Sequence, residues 1–225
     1  MQHLNNLILI IAILVCPLTI FSVRAQTNAD IADTTSYFLM TESRSDDLTS
    51  FPKWVAVLER FKEQKITSEI SCNVDIDNFC LNKEWQNIFL NLRGKNFMQQ
   101  LKAANIWGNA HPYIPDRVNW GVSDYWETTY EFMEISGDCE DYAIAKYYFL
   151  RALNIPAERL RIIIVQDLNL GGIVHAILGV YNEDGELMIL DNQTNEVLPA
   201  LSIYHYRPVY GLNEKNWWAY YSKKI

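Results

Sequence analysis

The sequence predicts an α+β fold in which N-terminal helices pack on an antiparallel β-sheet. Apolar residues recur at helical spacing between Pro52 and Leu153, and caps and breaks divide this region into separate helices. Three strand-like apolar runs follow, and residues 182–185, Asn-Glu-Asp-Gly, join the second and third as a hairpin. Helices that precede strands along the chain are typical of the α+β class.

Each predicted element has a local signal. Capping side chains, a proline in a first turn and glycine breaks define the helix ends. The predicted helices are one capped by Ser50 and opened by Pro52, one from Lys83 to about Ile106 that Gly94 can interrupt, one over 127–135, and one capped by Asp138 that ends near Leu153. The predicted strands cover 161–166, 174–181 and 186–191.

The N-terminus has the features of a signal peptide. Residues 7–21 form an apolar run too short for a comfortable membrane span, and Val23-Arg24-Ala25 offers small residues for cleavage after Ala25. An uncleaved anchor is the alternative, because little positive charge precedes the run. In both cases the body of the protein lies outside the cytoplasm. We divide the chain into a signal peptide (1–25), a flexible polar leader (26–45) and one domain (46–225).

Composition limits the partners of the mature chain. About 200 residues remain after cleavage, enough for one domain with a substantial core. With Arg24 removed there are 18 basic and 27 acidic residues, and the net charge is −9. No basic stripe is present to neutralise phosphates, so nucleic acid is excluded as the expected partner.

The cysteines indicate one free thiol. Cys16 is lost with the signal peptide, and Cys72, Cys80 and Cys139 remain. An odd count in an exported protein suggests one pair and one free thiol. Cys72 and Cys80 could close a small loop, but their spacing does not establish the geometry that a disulfide needs. Cys139 would then be the unpaired thiol.

Cys139 stands where a helix is predicted to begin, in Gly137-Asp138-Cys139-Glu140-Asp141. A helix N-terminus favours a thiolate through its free N–H groups and partial positive charge. The three neighbouring carboxylates oppose ionisation of the thiol. Two interpretations follow: a small residue within a helix cap, or a nucleophile beside a cation site.

The hairpin supplies a base and an orienting group for such a nucleophile. If Glu183-Asp184-Gly185 form a three-residue loop, Asn182 faces Glu186 and Ile177 faces Asp191. His175 is then the diagonal neighbour of Asp191 on the same face, within side-chain reach. A slip of one residue would place the two side chains on opposite faces. His175 would take the proton of the Cys139 thiol, and Asp191 would hold the imidazole.

Structural roles remain open for all three residues on this reasoning alone. A cysteine early in a helix is often a small buried residue, a histidine at a strand start is often structural, and Asp191 before Asn192 could begin a turn. Asp138 could only cap its helix, and Glu140 and Asp141 could only complement the helix dipole.

A family resemblance adds to this interpretation. The segment 137–147, Gly-Asp-Cys-Glu-Asp-Tyr-Ala-Ile-Ala-Lys-Tyr, resembles the signature of the bacterial transglutaminase-like cysteine proteinases. So do 120–126, Trp-Gly-Val-Ser-Asp-Tyr-Trp, together with His175 before an apolar strand and 190–192, Leu-Asp-Asn. The resemblance covers roughly residues 80 to 220. It departs from the family at 127–129, where a Thr-Pro is common, and at Ala176, where a methionine is frequent.

The resemblance implies a papain-like, transglutaminase-type core with a Cys139–His175–Asp191 triad. It also implies a periplasmic location and a Ca²⁺ ion held by Asp138 and Glu140, with Asp141 as a weaker candidate. The implied substrate is the N-terminal region of a large surface adhesin, and the implied regulator is an inner-membrane receptor for cyclic-di-GMP whose periplasmic domain sequesters the protease.

Two other functions share these residues. A protein transglutaminase uses the same triad but delivers the acyl group to an amine instead of water. A non-catalytic binding module could keep the fold with a decayed site, although the presence of all three triad residue types argues against this alternative.

Overall fold

The structure, a computed structural model, describes residues 40–71 and 83–221, with side chains described for 40–65 and 87–221. The predicted signal peptide, most of the predicted leader and the Cys72–Cys80 pair lie outside these residues. Within them the helices are α1 (Pro52–Ser71), α2 (Lys83–Leu92), α3 (Phe97–Asn109), α4 (Asp116–Asn119), α5 (Thr129–Ile135) and α6 (Cys139–Ala152). No helix in this described part is long and apolar enough to cross a membrane.

The strands form one antiparallel sheet, and all of them except the first follow the helices in the chain. They are β1 (Thr41–Ser45), β2 (Leu160–Asp167), β3 (Ile173–Tyr181), β4 (Leu187–Asp191), β5 (Thr194–Pro199), β6 (Tyr206–Leu212) and β7 (Trp217–Tyr221). Their order across the sheet is β1-β7-β6-β2-β3-β4-β5. Helices packed against this antiparallel sheet confirm the predicted α+β class.

Helix α6 is the centre of the main core. Most of its side chains are buried, although its mean composition is only weakly apolar. Its residues Ile144 and Leu150 share a hydrophobic cluster with Ala176, Leu178 and other residues from one face of the sheet. A helix enclosed in this way is held by packing on most sides, so the position of its first residue, Cys139, is fixed by the core.

The two faces of the sheet bury separate clusters. On β3, Ala176 and Leu178 point towards α6, whereas Ile177 and Tyr181 join a second cluster on the opposite face. This alternation follows from the two-residue period of a strand. It places His175 on the face away from α6, because it has the same parity as Ile177.

The predicted hairpin register is confirmed. The Asn182 N–H donates to the Glu186 carbonyl at 2.9 Å, and Gly185 has φ +80°, the left-handed conformation that the three-residue loop requires. Leu178 lies opposite Leu190 in the β3–β4 ladder. Continuing the same register places Ile177 opposite Asp191, as the sequence predicts.

The predicted boundaries differ most from the structure at two places. The helix predicted from Lys83 to about Ile106 is two helices, and Asn96 starts the second with a reciprocal capping box to Gln99. The end of the predicted leader, Thr41–Ser45, is strand β1, which pairs with β7. Its Glu42 accepts a hydrogen bond from the buried guanidinium of Arg161 at 2.6 Å. This long-range contact is not visible in the polar local sequence.

Candidate active site

His175 and Asp191 lie side by side on β3 and β4. The distance from His175 Nε2 to Asp191 Oδ1 is 2.9 Å, and both side chains are buried. Burial raises the pKa of Asp191, but hydrogen bonds from His175 and Tyr206 outweigh it and hold the pKa below its usual value. Asp191 is therefore a carboxylate, and Nε2–H donates to it. This tautomer leaves Nδ1 of His175 as the acceptor.

Asp191 is fixed by contacts beyond His175. The Tyr206 hydroxyl donates to its Oδ2 at 2.5 Å, and the Gln193 N–H donates to its Oδ1 at 3.0 Å. Its backbone carbonyl accepts from Asn109 Nδ2 at 2.9 Å. With both carboxylate oxygens occupied, the group is held in one orientation. Tyr206 and Asn109 were not predicted for this role, because both are distant in the chain from the hairpin.

A buried lysine on α6 helps to hold the turn between β4 and β5, which follows Asp191. Lys146 Nζ, on α6, donates to Asn105 Oδ1 at 2.8 Å, and Asn105 Nδ2 donates to the Thr194 carbonyl at 2.8 Å. Burial lowers the pKa of Lys146 to about 7, although the charge of Asp191 acts in the opposite direction. This network ties α3 and α6 to the β4–β5 turn that follows Asp191.

Cys139 is the first residue of α6 and a free thiol. Its Sγ donates to Glu140 Oε2 at 3.2 Å. Burial, Glu140 and Asp138 raise the pKa of the thiol far above its usual value, while a hydrogen bond from the backbone of Ala176 lowers it. The sulfur thus lies against β3 at the residue that follows His175.

Because β4 ends at Asp191, the Cys139 thiol can approach the His175–Asp191 pair. α6 packs on one face of the sheet, and the His175 and Asp191 side chains belong to the other. β4 ends at Asp191, so the first residues of β3 have no β4 neighbour. The Cys139 sulfur reaches the edge of β3 there, beside the Ala176 N–H.

The surroundings of Cys139 are strongly acidic. Three groups of ligand atoms each lie within 4.8 Å of one another. They are Asp138, Cys139 and Glu140; Asp116, Glu127 and Asp141; and Asp116, Asp124 and Glu140. We call all of these carboxylates together the acidic cluster. Asp138, Glu140 and Asp141 were predicted as metal ligands, whereas Asp116, Asp124 and Glu127 were missed.

The three carboxylates that were not predicted lie on a segment of chain that folds back onto the start of α6. The Ile114 N–H donates to the Gly137 carbonyl at 2.9 Å, and the Tyr125 N–H donates to Asp116 Oδ2 at 2.5 Å. The Glu127 N–H donates to Asp141 Oδ1 at 2.7 Å. The family-like segment 120–126 contains Asp124, but the spacing of its residues does not predict that the loop returns to Cys139.

Asp141 has a structural task within the acidic cluster. Fully buried, it accepts the Glu127 N–H through Oδ1 and the Asp138 N–H through Oδ2 at 2.9 Å. Gly137 makes room for it, since a Cβ at Gly137 would lie 2.7 Å from the Asp141 Cβ. Asp141 therefore holds both the loop and the N-terminus of α6, while each oxygen keeps a second lone pair.

The acidic cluster fits a hard divalent cation. Asp116 Oδ1, Glu127 Oε2 and Asp138 Oδ1 are buried and have no hydrogen-bond donor. Burial raises the pKa of Glu140 to about 8 and that of Glu127 to about 7, and neighbouring carboxylates add to both shifts. Clustered oxygen ligands of this kind are those that Ca²⁺ prefers, and a cation would relieve both the burial cost and the repulsion.

A helix that presents a thiol at its N-terminus and packs on an antiparallel sheet is the core expected of a transglutaminase-like protein. The chain belongs to the bacterial transglutaminase-like cysteine proteinases, because the model of that family matches residues 66–224. It is thus a cysteine protease of the transglutaminase-like fold, as the resemblance implied.

Solved structures of LapG from Legionella pneumophila are similar to this chain. One LapG structure is 33% identical over 60% of this chain and 76% of that chain, with a TM-score of 0.55. Calcium-bound LapG is 30% identical over 72% and 86% of the two chains, with a TM-score of 0.55. EGTA-treated LapG is 32% identical over 63% and 77%, with a TM-score of 0.56. A comparison with curated proteins gives no match.

Proposed function

We propose that this protein is a periplasmic, calcium-dependent cysteine endopeptidase with Cys139 as nucleophile, His175 as general base and Asp191 as the group that orients His175. The observation that carries the proposal is the 2.9 Å contact between His175 Nε2 and Asp191 Oδ1, one residue before the strand position that contacts the Cys139 sulfur. A thiol, an imidazole and an orienting carboxylate are the parts that nucleophilic acyl transfer needs.

In the proposed reaction, Nδ1 of His175 takes the proton of the Cys139 thiol, and the thiolate attacks the scissile carbonyl. The backbone N–H of Cys139, at the start of α6, is aimed to stabilise the oxyanion of the tetrahedral intermediate. Collapse of the intermediate releases the amine with the proton from His175. Water, deprotonated by His175, then hydrolyses the thioester. Asp191 stabilises the imidazolium whenever it forms.

The calcium ion would be held by Asp138 and Glu140, with Asp116, Asp124 and Glu127 as further oxygen donors and Asp141 behind them. Its contribution when bound is positive charge that neutralises carboxylates which oppose the thiolate. In the structure Glu140 accepts a hydrogen bond from the thiol. Engagement of Glu140 in a metal site would leave the Cys139 proton to His175. Calcium-bound and EGTA-treated forms of the similar LapG support this part of the proposal.

The proposed substrate is the N-terminal region of a large surface adhesin, and its cleavage would release cells from a biofilm. The proposed regulator is the periplasmic domain of an inner-membrane receptor for cyclic-di-GMP that sequesters the protease. Both are carried by the family resemblance and by similarity to LapG. The apolar run at 7–21 supports export to the periplasm.

The test is to mix the purified mature protein with N-terminal fragments of candidate adhesins, with calcium or with excess EGTA. We expect one cleavage in calcium, loss of cleavage in EGTA and no cleavage by Cys139→Ala. Incorporation of a labelled amine into a glutamine donor without peptide cleavage would instead identify a transglutaminase. Release of adhesin by Cys139→Ala would identify a non-catalytic module.

A further inference from the structure

The start of β3 presents an open edge directly beside the candidate active site. β3 pairs with β2 along Ile173–Val180, whereas its ladder with β4 covers only Leu178–Tyr181. Past Asp191 the chain turns into β5, so it does not continue along β3. Ile173 to Ala176 therefore have a partner strand on one side only within the described residues.

The hairpin register shows which backbone groups face this open edge. The Asn182 N–H donates towards β4, and groups that face the same neighbour recur at every second residue. The N–H and C=O groups of Leu178, Ala176 and Val174 thus point to the β4 side. The Ala176 backbone contacts the Cys139 sulfur, in agreement with this parity. Val174 is left with both groups directed into the edge, and no backbone hydrogen bond to them is made by the described residues.

Apolar side chains flank this edge. Ile173 is 62% exposed and Val174 is 64% exposed, whereas every following residue of β3 is buried. Exposed apolar residues on an unpaired strand edge favour the addition of another strand. Natural proteins protect such edges with charge or proline, and neither occurs at Ile173 or Val174.

We propose that the polypeptide substrate binds as an added antiparallel strand on the open edge of β3, with one of its residues paired to Val174 through two main-chain hydrogen bonds. This proposal rests on the proposed function, since it describes how a substrate reaches Cys139. In such a pair the substrate N–H donates to the Val174 carbonyl, and the Val174 N–H donates to the substrate carbonyl. Recognition then comes from the main chain, and the Val174 side chain lies beside that of the paired residue.

Continuity with the thiol argues that the occupant is the substrate and not a second copy of this protein. Only Val174 can form a pair of main-chain hydrogen bonds on this edge, because the Cys139 sulfur already lies beside Ala176, the next residue whose backbone groups face the edge. One such pair is too short for a stable strand-to-strand dimer, since isolated two-stranded pairs are marginal even over several residues. A chain held at Val174 runs past the sulfur, which is the placement that attack on its carbonyl requires.

Covalent probes of Cys139 test this pairing. The probe is acetyl-tetraalanine vinyl sulfone, and four versions each carry one N-methylated alanine. The thiolate adds to the vinyl β-carbon, forming the S–C bond, and the α-carbon takes a proton from His175. Inactivation rates are measured in calcium by mass of the Cys139 adduct, with ethyl vinyl sulfone as the control that has no main-chain amides.

We expect tetraalanine to react faster than ethyl vinyl sulfone. N-methylation at one alanine should slow its reaction by about tenfold or more, and N-methylation of the adjacent alanines should change it little, because their N–H groups point away. Val174→Pro should slow the peptide probe but not ethyl vinyl sulfone. If Val174→Pro slows both probes, the substitution has disturbed the active site itself. The N-methylated probes, tested on the unchanged protein, then decide whether the substrate pairs with Val174.

Equal effects at all four alanines, or a tetraalanine probe no faster than ethyl vinyl sulfone, would overturn the proposal. A dimer in sedimentation that Val174→Pro dissociates would assign the edge to a second copy instead. Failure of the proposed function has a separate signature, namely no adhesin cleavage in calcium despite adduct formation at Cys139.

Discussion

The two halves of the candidate site differ in how completely the chain itself satisfies their charges. The Asp191 carboxylate receives hydrogen bonds from His175, Tyr206 and Gln193, and its pKa is lowered. The acidic cluster beside Cys139 contains buried oxygens without donors, and the pKa values of Glu127 and Glu140 are raised. The base half is thus satisfied within the protein, whereas the nucleophile half leaves buried carboxylate oxygens without a donor, which a bound cation would satisfy. Variants of each half should therefore respond differently to calcium.

The largest effect is expected from the base half. His175→Ala removes the proposed proton acceptor, so cleavage should fall by about a thousandfold or more. The loss should be the same at every calcium concentration, since the acidic cluster is unchanged. Rates measured across a calcium titration check this expectation. If high calcium restored the cleavage rate of His175→Ala, the base half and the acidic cluster would not act independently.

The acidic cluster should give a smaller and calcium-dependent loss. Glu140→Gln removes one charged ligand and should raise the calcium concentration for half-maximal activity by about ten- to a hundredfold, a change that is typical of the loss of one metal-site interaction. High calcium should restore much of the rate. Calcium should also raise the melting temperature of the unchanged protein, because a ligand that binds only the folded state stabilises it. If EGTA alters neither activity nor melting, the calcium proposal fails.

Tyr206 tests how much the fixed orientation of Asp191 contributes. Tyr206→Phe leaves the ring but removes the hydroxyl that donates to Asp191 Oδ2. We expect kcat to fall by about tenfold with KM nearly unchanged, since one neutral-to-charged hydrogen bond is lost away from the substrate. The matched control is Tyr204→Phe, because Tyr204 is 87% exposed. If the two substitutions had equal effects on kcat, Tyr206 would not be a residue that positions Asp191.

Gly137 links the acidic cluster to the fold. Gly137→Ala places a Cβ against Asp141, which holds the N–H groups of Glu127 and Asp138. Overpacking should lower the melting temperature by about 5 °C and weaken calcium binding. Gly94→Ala is the control, since a Cβ at Gly94 meets nothing within 4 Å. Unchanged calcium affinity in Gly137→Ala would show that Asp141 does not organise the cluster.

Local patterns in the sequence account for some parts of this molecule and not for others. The His175–Asp191 proximity is predictable because both residues lie on one hairpin, whose Asp-Gly loop sets the register. Cys139 is predictable as the first residue of a helix for the same local reason. Asp116, Glu127 and Tyr206 are brought in by tertiary contacts of a loop and a separate strand, and no periodicity encodes those contacts. Strand β1 was missed because its pairing with β7 and the Arg161–Glu42 contact outweigh the polar local sequence.

The smallest expected effect concerns Lys146, a charged group in the satisfied half. Its pKa is about 7 in the folded protein, against about 10.5 for an ordinary lysine in the unfolded chain. Between these pH values the unfolded chain binds a proton that the folded protein has released, so stability rises with pH over this interval.

Lys146→Met removes this linkage and also leaves Asn105 Oδ1 without its donor, which adds an offset that does not depend on pH. The difference in melting temperature, variant minus unchanged protein, should therefore decrease by a few degrees, about 5 °C, between pH 7 and pH 10. Exposed Lys102 on α3 provides the control, and Lys102→Met should show no such slope. No slope for Lys146→Met would mean that Lys146 stays protonated in the folded protein, because the field of Asp191 offsets the cost of its burial. A slope shared by both variants would have a cause other than the burial of Lys146.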